Sequence, residues 1–100
     1  SKIVFFIKGT AGKSLSILLH KKADSSDYYN LKACTNDATL TAGGREVYEG
    51  IIDTGGNWVK VTLNILKPAD IDSTAENELI SFKVGGGAAY DLWIDDITVE

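Results

Sequence analysis

The 100-residue chain holds one cysteine, one proline, one histidine and no methionine. A lone Cys34 excludes an internal disulfide, so the fold has to be held by its core. Cys34 ends an alternating stretch, residues 28–34, which makes it a small packing residue. A catalytic thiolate would want a histidine partner; His20 is the one candidate, and no motif joins the two. Without methionine the chain does not begin at a retained start residue, and we expect a processed product or an excised piece of something longer. Long apolar runs are missing too. The longest, residues 3–7 and 17–19, fall far short of the ~20 residues of a membrane helix. Ten basic residues lie scattered among fourteen acidic ones, for a net charge of −4. That gives no basic stripe, so neither nucleic acid nor a membrane is an expected partner.

What the chain does have is period-two alternation. Residues 2–8 set Ile3, Phe5 and Ile7 against Val4 and Phe6 before a turn at Gly9-Thr10-Ala11-Gly12. Residues 14–20 alternate Leu15, Ile17 and Leu19 with Ser14, Ser16, Leu18 and His20. Residues 21–27 read as a polar loop, and 28–35 resume with Tyr29, Leu31 and Ala33 inward. Shorter strands are expected at 39–42 and 45–52, then a turn at Asp53-Thr54-Gly55-Gly56-Asn57. Residues 58–66 form the clearest strand, with Val59, Val61, Leu63 and Ile65 inward, and Pro68 ends it. A polar connection over 69–77 has room for one helical turn, and 78–84 turn Ile80, Phe82 and Val84 to the core.

The closing stretch, residues 90–100, alternates Leu92 and Ile94 with Trp93 and Asp95, then slips phase at Asp95-Asp96. A one-residue slip is the mark of a β-bulge, after which Ile97 and Val99 become the inward candidates. Seven or eight strands with one apolar face each make residues 1–100 a single all-β domain, a two-sheet antiparallel sandwich. An enzyme is not expected: no carboxylate pair is singled out, and there is no Ser/His/Asp pattern or HExxH. Gly85-Gly86-Gly87 lacks the lysine and following helix of a phosphate loop.

Three stretches in order carry a resemblance: Val4-Phe5-Phe6-Ile7-Lys8-Gly9, Gly56-Asn57-Trp58-Val59-Lys60-Val61-Thr62 and Tyr90-Asp91-Leu92-Trp93-Ile94-Asp95-Asp96-Ile97. Together they resemble the jelly-roll carbohydrate-binding modules of families four, sixteen and twenty-two, within the galactose-binding-like β-sandwiches. The resemblance implies a jelly-roll β-sandwich, extracellular or secreted as part of a larger protein. It implies non-catalytic binding of a polysaccharide or oligosaccharide, which holds an attached degrading enzyme on its substrate. MAM-type adhesion domains share the closing "IDDI" strand and give the alternative, a structural or adhesion sandwich contacting protein. They normally carry disulfide cysteines, which this chain lacks.

The resemblance also implies where the ligand lies. The family uses its concave sheet, here expected from residues 14–20, 28–35 and 78–84. Outward parity selects Tyr28 as stacking platform, Tyr48 as a second, and His20, Asn30, Lys32 and Lys83 for hydroxyls. Two lysines and a histidine would also suit an anionic sugar. Trp93, outward on the other sheet with Phe6 nearby, is the second-choice platform. Trp58 is expected to pack at the sandwich end. By the same resemblance Asp95 is a ligand of a structural calcium, with further oxygens from an N-terminal strand. This chain starts at what would be the family's third strand. The edge beside the closing strand is therefore expected to be open, filled in a homodimer or by a partner segment.

Overall fold

The computed structural model describes residues 1–22, 25–71 and 79–100. Among them the chain forms nine strands: β1 (Lys2–Ala11), β2 (Leu15–Lys21), β3 (Ser25–Leu31), β4 (Ala33–Cys34), β5 (Ala38–Thr41), β6 (Ile51–Asp53), β7 (Val59–Asn64), β8 (Ile80–Val84) and β9 (Tyr90–Val99). They make two mostly antiparallel sheets. The larger, sheet A, runs β4-β6-β1-β7-β5 with β9 on the other side of β1; sheet B runs β3-β2-β8. Sheet B is thus built from the three segments expected to share a sheet. Sheet A departs from the antiparallel expectation, because β4–β6 and β5–β7 pair in parallel.

The inner faces meet in one core. Ile3, Phe5 and Ile7 of β1 and Val59, Val61 and Leu63 of β7 face Leu15, Ile17, Leu19, Tyr29 and Leu31 of sheet B, all buried. Phe5 meets Phe82 edge to face at 5.4 Å, and the Tyr29 hydroxyl donates to the Asn64 carbonyl at 2.8 Å. That bond keeps the one polar atom of a fully buried ring satisfied across the sheets. Burial, then the charge of Asp27, raises the Tyr29 pKa.

Alternation places most strands, and it fails where the chain kinks. β1 continues to Ala11 through the expected turn at Gly9. Lys32 breaks the strand between β3 and β4, so Ala33 turns out to solvent and Cys34 in. Burial, then Asp37, raises the Cys34 thiol, as suits a packing residue. Of the strand expected over 45–52, only Ile51–Asp53 pairs as one. Pro68–Asp70 forms a single 3₁₀ turn; residues 72–78, and Asp24 in its loop, lie outside the described residues.

The bulge stands where the phase slip put it. Val4 pairs with Thr98 but Phe6 with Asp95, so β9 carries one extra residue opposite Phe5. Asp96 takes the left-handed conformation, φ 53°, which aspartate tolerates better than most residues. Its N–H is held by Asp95 Oδ1 at 2.8 Å. Beyond the bulge Ile97 and Val99 are not core: they remain 48% and 65% exposed. The physical reason is that β9 pairs only with β1, so among the described residues no strand pairs with its other edge. β8 is the corresponding edge of sheet B, and its Val84, expected inward, is 54% exposed.

Candidate functional site

Two outer faces compete for a ligand. On sheet B the register sets Ser16 beside Asn30 and Lys83, Leu18 beside Tyr28 and Ser81, and His20 beside Ser26. Tyr28, His20, Asn30 and Lys83 therefore do share one outward face. That face is not open. Residues 43–49 form a strap tied down to it by side chains. Asn30 Nδ2 donates to the Arg45 carbonyl and its Oδ1 accepts from the Val47 N–H, both at 3.0 Å. Ser14 Oγ donates to the Val47 carbonyl at 2.7 Å, and the Gly43 N–H to the Tyr28 carbonyl at 2.7 Å.

The strap also engages Lys83 and Lys32, whereas His20 bonds within sheet B. Lys83 Nζ lies 3.0 Å from Glu46 Oε1, Lys32 Nζ 4.0 Å from Glu49, and the Tyr48 hydroxyl donates to Glu46 Oε2 at 2.8 Å. His20 Nε2 bonds Ser81 Oγ at 3.0 Å and its Nδ1 meets Ser26 Oγ at 3.4 Å. Ser16 and Leu18 are buried, and Ser16 Oγ has no partner among the described residues. Tyr28 and Tyr48 are half-buried.

The strap's anchor titrates at both ends of the pH scale. Desolvation, then the hydrogen bond to Glu46, pushes Tyr48 up to about 12, above the ordinary 10.0. A raised folded value favours the protonated form, so its contribution is complete below about pH 10 and lost as pH rises through about 12. Hydrogen bonds from Lys83 and then Tyr48 lower the Glu46 carboxyl from 4.5, so its contribution holds above that value and fades as pH falls through the lowered one. We expect Glu46→Gln to lower the Tyr48 tyrosinate absorbance step from about 12 toward 10.0, and Val47 amide protection in the parent to weaken in acid. An unchanged titration would mean that the Tyr48–Glu46 bond does not hold the strap.

Sheet A offers the other face. Its register lays out rows of neighbours: Thr98–Val4–Thr62, Asp95–Phe6–Lys60, and Trp93 beside Lys8. Ile7 pairs with buried Val59, so Trp58, one residue earlier, continues the Lys8 row on the outer face. Lys8 Nζ sits 5.0 Å from the Trp58 ring centroid, within cation–π range. Trp93 is 63% and Trp58 45% exposed, with Phe6 half-buried in the next row. Trp58, expected to pack at the end of the fold, stands partly exposed between the 54–57 turn and β7, with Lys8 over its ring. The strands beside the two indoles, β9 and β7, lie on either side of Lys8's strand, about 10 Å apart by two strand spacings.

Local hydrogen bonds fix Trp58. Gly55 (φ 64°) and Gly56 (φ 80°) turn the chain, with Asp53 Oδ1 accepting the Gly55 N–H at 2.9 Å and the Asn57 N–H donating to the Thr54 carbonyl at 3.2 Å. Buried Thr54 ties that turn to β1, its Oγ1 accepting the Gly9 N–H at 2.9 Å. Two depressions border the indole. One, about 260 Å³, is lined by Phe6, Trp58, Asp95 and Asp96; the other, about 450 Å³, by Thr35, Asn36, Asp37, Asn57, Trp58 and Val59. The sequence pattern pointed to Trp93, assigned Trp58 to packing, and gave no sign of Asn36, Asp37 and Asn57. The outward parity of Trp58 was the signal available; the contribution of 35–37 is long-range and leaves no periodic trace.

Calcium takes about six to eight oxygens. Asp95 and Asp96 adjoin and would supply carboxylate oxygens, while among the described residues no group of three or more His, Cys, Asp or Glu side chains comes together. No family model matches the chain, nor does any curated protein or solved structure.

Proposed function

We propose that this domain is a non-catalytic carbohydrate-binding jelly-roll sandwich, and that its ligand lies on the outer face of sheet A. The observation that carries this reading is the exposed pair Trp58 and Trp93, flanking Lys8 with Phe6 in the adjoining row. Exposed indoles suit the C–H faces of pyranose rings, and the neighbouring carboxylates and amides suit their hydroxyls. The sheet B set has Asn30, Lys83 and Tyr48 engaged with the strap, which makes it the weaker platform. Binding on the order of micromolar to millimolar, about −4 to −8 kcal/mol, suffices for a tethered module that raises the local concentration of an attached enzyme on its polymer. Such a role belongs outside the cell, on a larger secreted protein.

Affinity electrophoresis against soluble glycans tests the reading. Retardation by at least one glycan is expected, lost in Trp93→Ala and kept in Tyr28→Ala. The reverse pattern would move the ligand to sheet B, and retardation by none would favour the adhesion reading.

The free edge of β9 belongs to the same proposal. A ten-residue edge strand with exposed Trp93, Ile97 and Val99 is a template for strand addition, and native proteins rarely leave one uncovered. A partner segment suits it better than a second copy, because β9 carries Asp91, Asp95 and Asp96 and no basic residue. Calcium at Asp95 enters only with oxygens from such a segment. Light scattering should give a monomer whose β9 amides exchange quickly. A stable dimer with protected β9 amides would establish self-pairing instead.

A further inference from the structure

We infer that a β-strand from another polypeptide closes one side of this sandwich. It pairs along β9 and sets branched apolar side chains between the two sheets, with lysine or arginine at its alternate positions. This rests on the edge reading above and is independent of the sugar. The sandwich has a closed side and an open one. On the closed side β3 lies against β5, Gly43 bridges to Tyr28, and Tyr29 and Leu31 of that edge are fully buried. Opposite stand β8 and β9, each paired, among the described residues, on its inner edge alone.

The inward positions of those two strands are incompletely covered. Ile80, Phe82 and Val84 pair with buried Leu19, Ile17 and Leu15, yet the first two are half-buried and Val84 is exposed. On β9, Leu92 and Ile94 pack against the core but stay half-buried. Val99 pairs with buried Ile3, Ile97 shares its parity, and both are exposed. A groove of about 230 Å³ opens here, with Val99 and Leu79 lining it from the margins of the two sheets and Ile65 and Ile71 beside them. A single exposed hydrophobe needs no explanation, but a row of inward-facing ones along two edges is an unfinished core.

The shape of the occupant follows from β9. Its ten residues offer a free row of N–H and C=O groups, which a strand can pair and a helix cannot; β8 has only five. Its charge follows from Asp91, Asp95 and Asp96, which are exposed and, among the described residues, form no ion pair. The lysines of the outer faces do not serve them. Lys8 reaches away to Trp58, Lys60 lies across β1 beside Phe6, and Lys83 on β8 holds Glu46. A strand beside β9 sets its outward residues opposite those acids, where opposite charge stabilises and like charge destabilises. A second copy of β9 would bring acids against acids.

Amide exchange by NMR on the full chain tests this, with three nonapeptides as probes: alternating Val–Lys, a scramble of the same composition, and alternating Val–Glu. Exchange of the β9 amides should slow at least tenfold with alternating Val–Lys and less than twofold with the others. Ile97→Thr with Val99→Thr, at exposed positions, should cancel most of that slowing while the free domain melts as before. Asp91→Asn with Asp95→Asn, which keeps an acceptor for the Asp96 N–H, should reduce it severalfold. Slowing that survives the two threonines would mean a strand paired at the edge without entering between the sheets. Equal slowing by Val–Glu would mean an occupant without the stated charge. Either result overturns this inference and leaves the edge reading standing, and no slowing by any peptide overturns it outright. A stable dimer with β9 already protected before peptide is added would remove the edge reading itself.

Discussion

Gly9→Ala should lower the melting temperature by roughly 12 °C or more, from a cost of about 3 kcal/mol at about 4–8 °C per kcal/mol for a domain of this size. Gly9 sits at φ 131°, a conformation L side chains rarely adopt, and a Cβ there would run into the Asp91 carbonyl. No flexible side-chain end can give way, because the obstacle is the backbone of β9. The same glycine pairs with Leu92 and bonds Thr54 in both directions, its N–H to Oγ1 and its carbonyl from the Thr54 N–H. Alanine therefore disturbs at once the β1–β9 ladder and the turn that sets Trp58. Hydrogen exchange should show β9 losing protection before β2 and β3. A fall of less than about 4 °C would mean that the chain relaxes around the new methyl at little cost.

The parts of the fold legible in the sequence are those in which alternation runs unbroken. β1, β2 and β7 read directly, since Ile3, Phe5, Ile7, Ile17, Leu19, Val59, Val61 and Leu63 all alternate inward and are buried. The bulge was legible because Asp95-Asp96 breaks a strict period, and one extra residue is the smallest way to do that. The strap over 43–49 was not. Its alternation resembles a strand, yet its backbone is satisfied by Asn30 and Ser14, side chains contributed from elsewhere in the chain. The phase change at Lys32 was hidden likewise, because Ala33 and Cys34 are both small and suit either face. Side-chain parity carries no strand direction, so the parallel pairs β4–β6 and β5–β7 left no local mark. For the candidate site the same asymmetry holds. Parity put Trp93 and Phe6 on one outer face, but only three-dimensional placement brings Asn36 and Asp37 to Trp58.

Phe5 and Phe6, adjacent in the chain, should separate stability from binding. Phe5 is fully buried and meets Phe82 at 85° between ring planes. Truncating a buried phenylalanine costs about 3–5 kcal/mol in transfer and cavity terms. Native domains hold only about 5–15 kcal/mol, so Phe5→Ala should approach the limit of folding at 37 °C. Phe6 points the other way, half-buried between Asp95 and Lys60. Its removal should cost about 1 kcal/mol of stability, close to the average for a single substitution. Its loss to a ligand should be of similar size, about 0.5–1.5 kcal/mol, which is roughly a twofold to tenfold weaker complex. Urea melts and glycan titrations on both variants give the comparison. Phe5→Leu, which keeps most of the volume, should fold and bind as the parent does, because nothing it alters reaches the outer face. Equal stability losses in Phe5→Ala and Phe6→Ala would mean that another segment covers the outer face of sheet A and that Phe6 is core. Trp58 and Trp93 would then be packing residues for that cover, and the adhesion reading would take precedence over carbohydrate binding.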